Sequence, residues 1–312
     1  STLYNKALIA LEDRTNMYKA IEEVINYMTN HDERLKGWPS KIKSLIDETI
    51  HASDDYIDSM PLSDLAKTKM KETINSVNFV VSDEDLQGYF FDFNPYFHGC
   101  KNIITIPPVT LLLPLFYDTE EASYIFKITF AHELGHAWNY AYVLENAESE
   151  IYHETTFLMD DKKLEEAGIS FYNNTRKVNY LQYLTDNDKK FLSENANKII
   201  EAFNIKGKES IDQNGQNTEL DINIDGRNVF VEAAADNFAL ESISMYEKNN
   251  GNDVYKVFSA FAKKEWGIEE KSKAISQRGW DKSNYPAIKY RINAGLNLCK
   301  AYRDWLKSNN VI

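Results

Sequence analysis

The residues of this chain with the clearest chemical potential form the pentapeptide His132-Glu133-Leu134-Gly135-His136, an H-E-x-x-H pattern in a predicted helix. Two histidines four positions apart lie on one helical face, so both imidazoles can point at one metal ion. Glu133, about 100° further round the helix, can reach a metal-bound water rather than the metal. Zinc lowers the pKa of its bound water towards about 7, so a carboxylate can take the proton as the water attacks a carbonyl. The pattern predicts a catalytic zinc site, with two surface histidines on an amphipathic helix as the alternative.

A catalytic zinc ion needs a third protein ligand and an open fourth position. A third histidine six residues after His136 would complete one common pattern, but Tyr142 stands there. The better candidate is Glu232, which lies in a predicted helix whose neighbouring alanines would let it approach the histidine helix closely. Asp236, four residues later on the same face, can accept a hydrogen bond from a ligand imidazole and fix its tautomer. The alternative is a capped helix with a solvated acidic face.

Apolar residues at helical spacing predict helices over most of the chain. The predicted helices cover, approximately, residues 8–28, 41–59, 62–77, 120–146, 189–203 and 228–248, and most of the chain from there to residue 307. Ser63 is a candidate N-cap for the third of these. Residues 79–106 are instead rich in Val, Tyr, Phe and Ile, which predicts short strands beside the histidine helix. Gly207, Asn214-Gly215 and Asp225-Gly226 predict a turn-rich loop before the Glu232 helix.

Length and composition predict one α+β unit that is predominantly α-helical. The chain has 312 residues, of which 43% are hydrophobic and 27% charged, as in ordinary globular proteins. We therefore predict a single catalytic unit over residues 1–312, with a helical N-terminal part at 1–78 and a zinc-binding part at 79–312.

The charge balance and the apolar runs exclude two classes of partner. A net charge of -13 with scattered Lys and Arg argues against nucleic-acid binding, which needs concentrated positive charge. No apolar run approaches the ~20 residues that span a bilayer, so we predict no membrane span. The two cysteines, Cys100 and Cys299, form either one long-range disulfide or two core thiols.

Further blocks flank the zinc-binding residues: Asn94-Pro95-Tyr96-Phe97 followed by residues 101–107, residues 114–118 (PLFYD), Asp225-Gly226, and residues 285–293 (YPAIKYRIN). They resemble, in order, the N-A-F/Y-Y, R-N-x-I-x-x-P, P-P-F-F/Y-D, N-G and H-S-P-x-x-x-R-V-N blocks of the neprilysin-type zinc endopeptidases. Neprilysin and endothelin-converting enzyme belong to this family. The resemblance covers roughly residues 40–308.

The resemblance implies a thermolysin/neprilysin-like zinc peptidase lobe that holds one zinc ion through His132, His136 and Glu232. Its substrate would be a peptide or polypeptide. Asn94 would hydrogen-bond the substrate backbone from an edge strand. Arg291 would donate a bidentate pair to a substrate carbonyl or carboxylate, with a structural salt bridge as the alternative.

The chain departs from the family pattern in four ways. Tyr285 stands where the family has its transition-state histidine, and a phenol can still donate to an oxyanion. Pro95 replaces the usual alanine of the strand and removes an N–H donor, which predicts a changed specificity. Most of the family's helical N-terminal lobe is absent at this length, while the separation of His136 and Glu232 is longer than usual. We therefore predict an insertion within residues 145–215 and a more open cleft that admits longer or folded polypeptides.

The function predicted from the sequence is a zinc-dependent endopeptidase with Glu133 as general base. A catalytically silent zinc fold used for binding is one alternative, although it has little reason to keep Glu133. A toxin-like or regulatory protease with a single protein target is the other. The resemblance favours a secreted or cell-surface protein, with a cytoplasmic oligopeptidase as the alternative.

Overall fold

The computed structural model describes residues 38–81, 95–98, 102–107, 110, 119–138, 180–213, 216–266 and 288–311. Within these ranges, helices are the main elements and the strands are short. The helices are α1 (Trp38–Ser59), α2 (Asp64–Asn75), α3 (Glu120–Trp138), α4 (Asp186–Ala202), α5 (Gly226–Asn249), α6 (Tyr255–Trp266), α7 (Ile288–Leu298) and α8 (Lys300–Ser308). The strands are β1 (Asn78–Val81), β2 (Tyr96–His98), β3 (Ile103–Ile106), β4 (Ile205–Gln213) and β5 (Gln216–Ile224). A predominantly helical α+β fold is confirmed.

Helix α3, which carries the histidine motif, is central to the described fold. It is buried on nearly all sides, which is the environment expected for a helix without a long polar face. Helices α1, α5 and α6 pack around it. Helix α5 runs antiparallel to α3, because Gly135 lies against Ala235 whereas Lys127, nearer the start of α3, contacts Glu247 near the end of α5.

The short strands predicted in residues 79–106 are confirmed. They form a three-stranded sheet in the order β1-β3-β2, with β1 parallel and β2 antiparallel to β3. Phe97 of β2 lies opposite Ile104 of β3, and both side chains are buried in the core. This register turns the backbone of Phe97 towards α3, where its N–H contacts the histidine motif.

Several helix ends are fixed by caps that the sequence suggested only in part. Ser63 is the N-cap of α2, as predicted, and its hydroxyl accepts from the Ala66 N–H. Thr185 and Asp188 form a capping box at the start of α4. Asp188 also accepts from the backbone N–H and hydroxyl of Ser63, at 2.8 and 2.7 Å. One buried carboxylate therefore holds the first turns of two helices together.

The predicted loop before the Glu232 helix is wrong. Residues 205–213 and 216–224 form an antiparallel hairpin, with Ile205 opposite Ile224 and Gln213 opposite Gln216. The glycines favour a loop, whereas two other sequence signals favour a hairpin. These are the alternation of apolar and polar residues in β5 and the Asn214-Gly215 pair, which is typical of two-residue hairpin turns. At the hairpin's base, Ile222 and Ile224 are buried, which anchors the chain just before α5.

The start of α5 depends on a close approach to α4. Asp225 is the N-cap, and its side chain accepts from the Arg227 N–H. A Cβ atom on Gly226 would lie only 1.9 Å from the Ile200 backbone oxygen, so no larger residue fits. The Gly226 N–H donates to the Asn204 side chain at 2.8 Å. This contact fixes where α5 begins and so where Glu232, less than two turns later, is placed.

Two further predictions have structural outcomes. Among the described residues, none of the helices is both long and apolar enough to cross a membrane. Cys299 is a buried free thiol whose Sγ lies 4.0 Å from the Ser244 Oγ. The predicted first helix at residues 8–28, the end of the histidine helix at 139–146 and Cys100 lie outside the described residues. The division at residue 78 and the insertion within 145–215 stay predictions.

Candidate metal centre

Helices α3 and α5 bring three potential metal-ligand atoms together. The Nε2 atoms of His132 and His136 are 3.0 Å apart, and the Glu232 Oε2 lies 3.1 Å from the first and 3.5 Å from the second. Three ligands of a tetrahedral zinc ion with bonds of about 2.0–2.1 Å lie about 3.3–3.4 Å from one another. The triangle therefore fits a zinc ion. Its donor set of two imidazoles and one carboxylate also suits zinc.

The triangle is closed on one side and more accessible on the other. His132 is buried where α3 packs against α5. The side chains of His136 and Glu232 keep 18% and 12% of their surface exposed. A catalytic site needs such an accessible side for a substrate, while a structural zinc site is enclosed by four protein ligands.

A small-residue contact sets the distance between the two helices. A Cβ atom on Gly135 would lie 2.9 Å from the Cα and 3.1 Å from the carbonyl oxygen of Ala235. Because both atoms belong to the backbone, they cannot move aside without moving α5. The close approach of the two helices that the alanines around Glu232 predicted is therefore present. It requires a small residue on both helices, Ala235 on α5 and Gly135 on α3.

Gly135→Ala is expected to weaken zinc binding and to lower the free energy of unfolding by about 1–3 kcal/mol, the usual range for overpacking. The gain in helix propensity, about 1 kcal/mol, is too small to offset a backbone clash. Gly295→Ala is the matched control, because its Cβ would meet only the side chains of Leu240 and Phe261 at 3.6 Å. Chemical denaturation and zinc competition with a chelator measure both effects. A Gly135→Ala protein as stable as the Gly295→Ala protein would contradict this prediction.

Asp236 holds His132 from behind the triangle. Its Oδ1 lies 2.8 Å from the His132 Nδ1, so Nε2 is the nitrogen that faces the other ligands. Arg291 donates to the same carboxylate through Nε at 2.5 Å and Nη2 at 2.8 Å. Burial alone would raise the pKa of Asp236, but Arg291 and His132 outweigh it and hold that pKa well below its ordinary value. Asp236 is therefore a carboxylate, as this role requires.

The position of Arg291 agrees with the salt-bridge alternative. Its side chain is buried, and two of its donors bind Asp236. A sequence signal that could have indicated this pair is the single arginine of the 285–293 block together with Asp236, the acidic residue one turn after Glu232. The contact of Arg291 with a substrate stays a prediction.

Glu133 lies beside the triangle and is tied to the sheet. Its Oε2 accepts a hydrogen bond from the Phe97 N–H at 2.9 Å. Burial raises the pKa of Glu133, although His132 and His136 partly counter that effect. A raised pKa brings a carboxylate closer to the value at which it exchanges protons efficiently near neutral pH. The sequence did not indicate the contact with Phe97, because it joins a strand and a helix that are distant in the chain.

The remaining predicted site residues are only partly described. Pro95 is buried directly before β2, two residues from Phe97. Asn94 and Tyr285 lie outside the described residues.

Metal affinity should rise with pH, because a zinc ligand must be a neutral imidazole. Burial would lower the pKa of His132, but Asp236, Glu232 and Glu133 outweigh it and raise that pKa from 6.5 to about 9. In the metal-free protein this shift stabilises the fold below pH 6.5, and that contribution is lost as the pH rises through about 9. The zinc affinity is expected to increase about tenfold per pH unit up to about pH 9 and then to level off. Chelator competition, corrected for chelator protonation, measures it, and a flat profile would contradict the prediction.

Comparison with known proteins identifies the fold through structure rather than sequence. No protein-family model matches the chain, and no curated protein matches it. Solved structures of Mycobacterium tuberculosis zinc metalloprotease Zmp1 do match. The inhibitor complex has a TM-score of 0.62 and the open state 0.56, each at 16% identity over 92% of this chain. The chain covers 46% and 47% of those proteins, less than half their length. The fold is thus that of a zinc metalloprotease lobe.

Proposed function

We propose that this chain is a zinc-dependent endopeptidase of the neprilysin type, with one zinc ion held by His132, His136 and Glu232. The observation that carries the proposal is the triangle of 3.0, 3.1 and 3.5 Å between their ligand atoms, with Glu133 directly beside it. A structural metal site would have no need of the buried carboxylate that lies next to the ligands without belonging to the triangle. The likeness to a zinc metalloprotease fold supports the same class.

When bound, zinc supplies a Lewis acid that polarises a peptide carbonyl and lowers the pKa of water. Glu133 accepts the proton of the attacking water and passes it to the amine released when the C–N bond breaks. The Phe97 N–H holds the Glu133 Oε2 in place, which fixes the direction of the carboxylate. Asp236 holds the Nδ1 of His132, and Arg291 holds Asp236.

The family resemblance suggests how a substrate is held. Asn94 would bind the substrate backbone, and Tyr285 would donate to the oxygen that becomes negatively charged in the transition state. Pro95 directly precedes the strand whose Phe97 contacts Glu133. The backbone position that lacks an N–H donor is therefore only two residues from a contact of the proposed site. We therefore propose peptide and polypeptide substrates with a subsite preference that differs from family members with alanine at this position.

Metal content and cleavage of a mixed peptide library test the proposal together. The library should carry blocked termini, acetylated and amidated, so that only internal cuts yield products. One zinc ion per chain with internal cleavage supports the endopeptidase, and Glu232→Gln should lose both. Stoichiometric zinc without cleavage would favour the silent zinc fold or a protease with a single target. A wild-type protein that binds no zinc would overturn the proposal.

A further inference from the structure

A second polar contact joins the two metal-binding helices away from the ligands. Lys127 of α3 and Glu247 of α5 are both buried, with 5% and 2% of their surfaces exposed. The Lys127 Nζ lies 2.5 Å from the Glu247 Oε1 and 3.2 Å from the Oε2 of Glu48 on α1. We call Lys127 and Glu247 the helix clasp.

The Glu247 carboxylate of the clasp has further polar partners besides Lys127. The Asn252 side chain donates to the Glu247 Oε2 at 2.6 Å, and the Tyr124 hydroxyl lies 3.4 Å from the same oxygen. The ring of Tyr124 also lies 4.9 Å below the Lys127 ammonium. Such satisfied, charge-assisted contacts have a narrow range of geometry, unlike the apolar contacts around them.

The clasp and the ligands act on the same pair of helices. Lys127 precedes His132 by five residues on α3, and Glu247 follows Asp236 on α5. Apolar packing alone allows one helix to slide or rotate against another at modest cost, because it has little direction. A zinc site does not tolerate this, since its bond lengths vary by only about 0.2 Å. A directional contact elsewhere on the two helices would restrict that motion.

We propose that Lys127 and Glu247 are positioning residues whose ion pair fixes α3 against α5 and thereby sets the metal affinity of the His132, His136 and Glu232 triangle. This inference rests on the proposed metal site. Neither residue touches the ligands, so the clasp acts only through the relative placement of the helices. A buried ion pair is weak support for stability in itself, because apolar residues of similar size often replace it without loss. A role in placing α3 against α5 therefore explains this ion pair more specifically than a role in stability does.

The test compares Lys127→Met, Glu247→Met and the double variant with the wild type. Each protein is loaded with Co²⁺ in place of zinc, and the visible absorption spectrum and the zinc dissociation constant are measured. Chemical denaturation in the presence of a chelator gives the stability of the metal-free fold. Lys263→Met is the matched control, because it removes an exposed ion pair between α6 and Glu121 of the same α3 helix.

We expect each single variant to be less stable and to bind zinc about tenfold more weakly, with an altered Co²⁺ spectrum. The double variant separates the two roles: its stability should recover, whereas its zinc affinity and spectrum should stay altered. Recovery of affinity together with stability would overturn the clasp, and so would unchanged affinity and spectrum in the single variants. A wild type that binds no metal would overturn the metal site and the clasp together.

Discussion

Replacing Glu133 by Gln is expected to lower kcat/KM for peptide cleavage by about 10³-fold, within the 10²–10⁴ range of general-base catalysis, and to leave zinc bound. Glutamine has nearly the same shape, and its amide oxygen can still accept the Phe97 N–H that now binds the Glu133 Oε2. It cannot take a proton from water. Zinc remains because the ligand triangle is formed by His132, His136 and Glu232.

Steady-state kinetics on the best library peptide and zinc content by mass spectrometry measure the two halves of this result. Glu232→Gln provides the opposite pattern, since it should lose zinc and activity together. Glu219→Gln is the neutral control, because Glu219 is exposed and pairs only with Lys208 across the hairpin among the described contacts. A Glu133→Gln protein that retains a tenth or more of the wild-type kcat/KM would exclude Glu133 as the general base.

The parts of the site that local geometry decides were predictable from the sequence. The four-residue spacing of His132 and His136 places them on one face of any helix, and the same spacing relates Glu232 and Asp236. The structure has all four within one cluster, with the ligand atoms 3.0–3.5 Å apart. Helices α1 and α4 were predictable from their apolar period, which is strong and survives errors of a few residues at each end.

Contacts between distant segments were not predictable in this way. The pair of Arg291 and Asp236 and the pair of Lys127 and Glu247 each join two helices, and no local pattern says which helices pack together. Lys127 is the one lysine of α3, and a lysine suggests an exposed position rather than a buried one. The bond from Phe97 to Glu133 depends on sheet register, which a three-residue strand does not define from sequence alone.

In the β4–β5 hairpin, two local sequence signals favour different structures. Residues 205–224 contain both turn-forming residues and an alternating pattern, and the two predict different structures. Cross-strand partners decide between them, since nine residues on each strand pair without a break in register. The same competition does not arise in α5, where the helix-forming alanines and the Asp225 cap agree.

Asp236→Asn is expected to lower both the free energy of unfolding and the affinity for zinc, because Asp236 contacts Arg291 as well as His132. Asparagine keeps the shape but not the charge, so Arg291 would be left as a buried cation without its carboxylate. Removal of one partner of a buried pair lowers the free energy of unfolding by about 3–5 kcal/mol. His132 would also lose the acceptor at 2.8 Å that fixes its Nδ1–H, and loss of such a partner weakens metal binding about 10–100-fold.

Denaturant unfolding with a chelator present, together with zinc competition, measures these two losses for Asp236→Asn. Because the pKa of Asp236 lies below its ordinary value of 3.8, the carboxylate stabilises the fold above that pH, and the contribution fades as the pH falls further. The difference in the free energy of unfolding between wild type and variant should therefore shrink in acid. It should also narrow as the pH rises from 6.5 to about 9, because the wild type then loses the contribution of the raised pKa of His132, which Asp236 largely causes. Asp188→Asn is the matched control, since it removes a buried carboxylate that accepts from Ser63 and Thr185 instead of from a metal ligand. It should lose stability without losing zinc affinity; equal loss of affinity in both variants would mean that Asp236 acts on the fold alone.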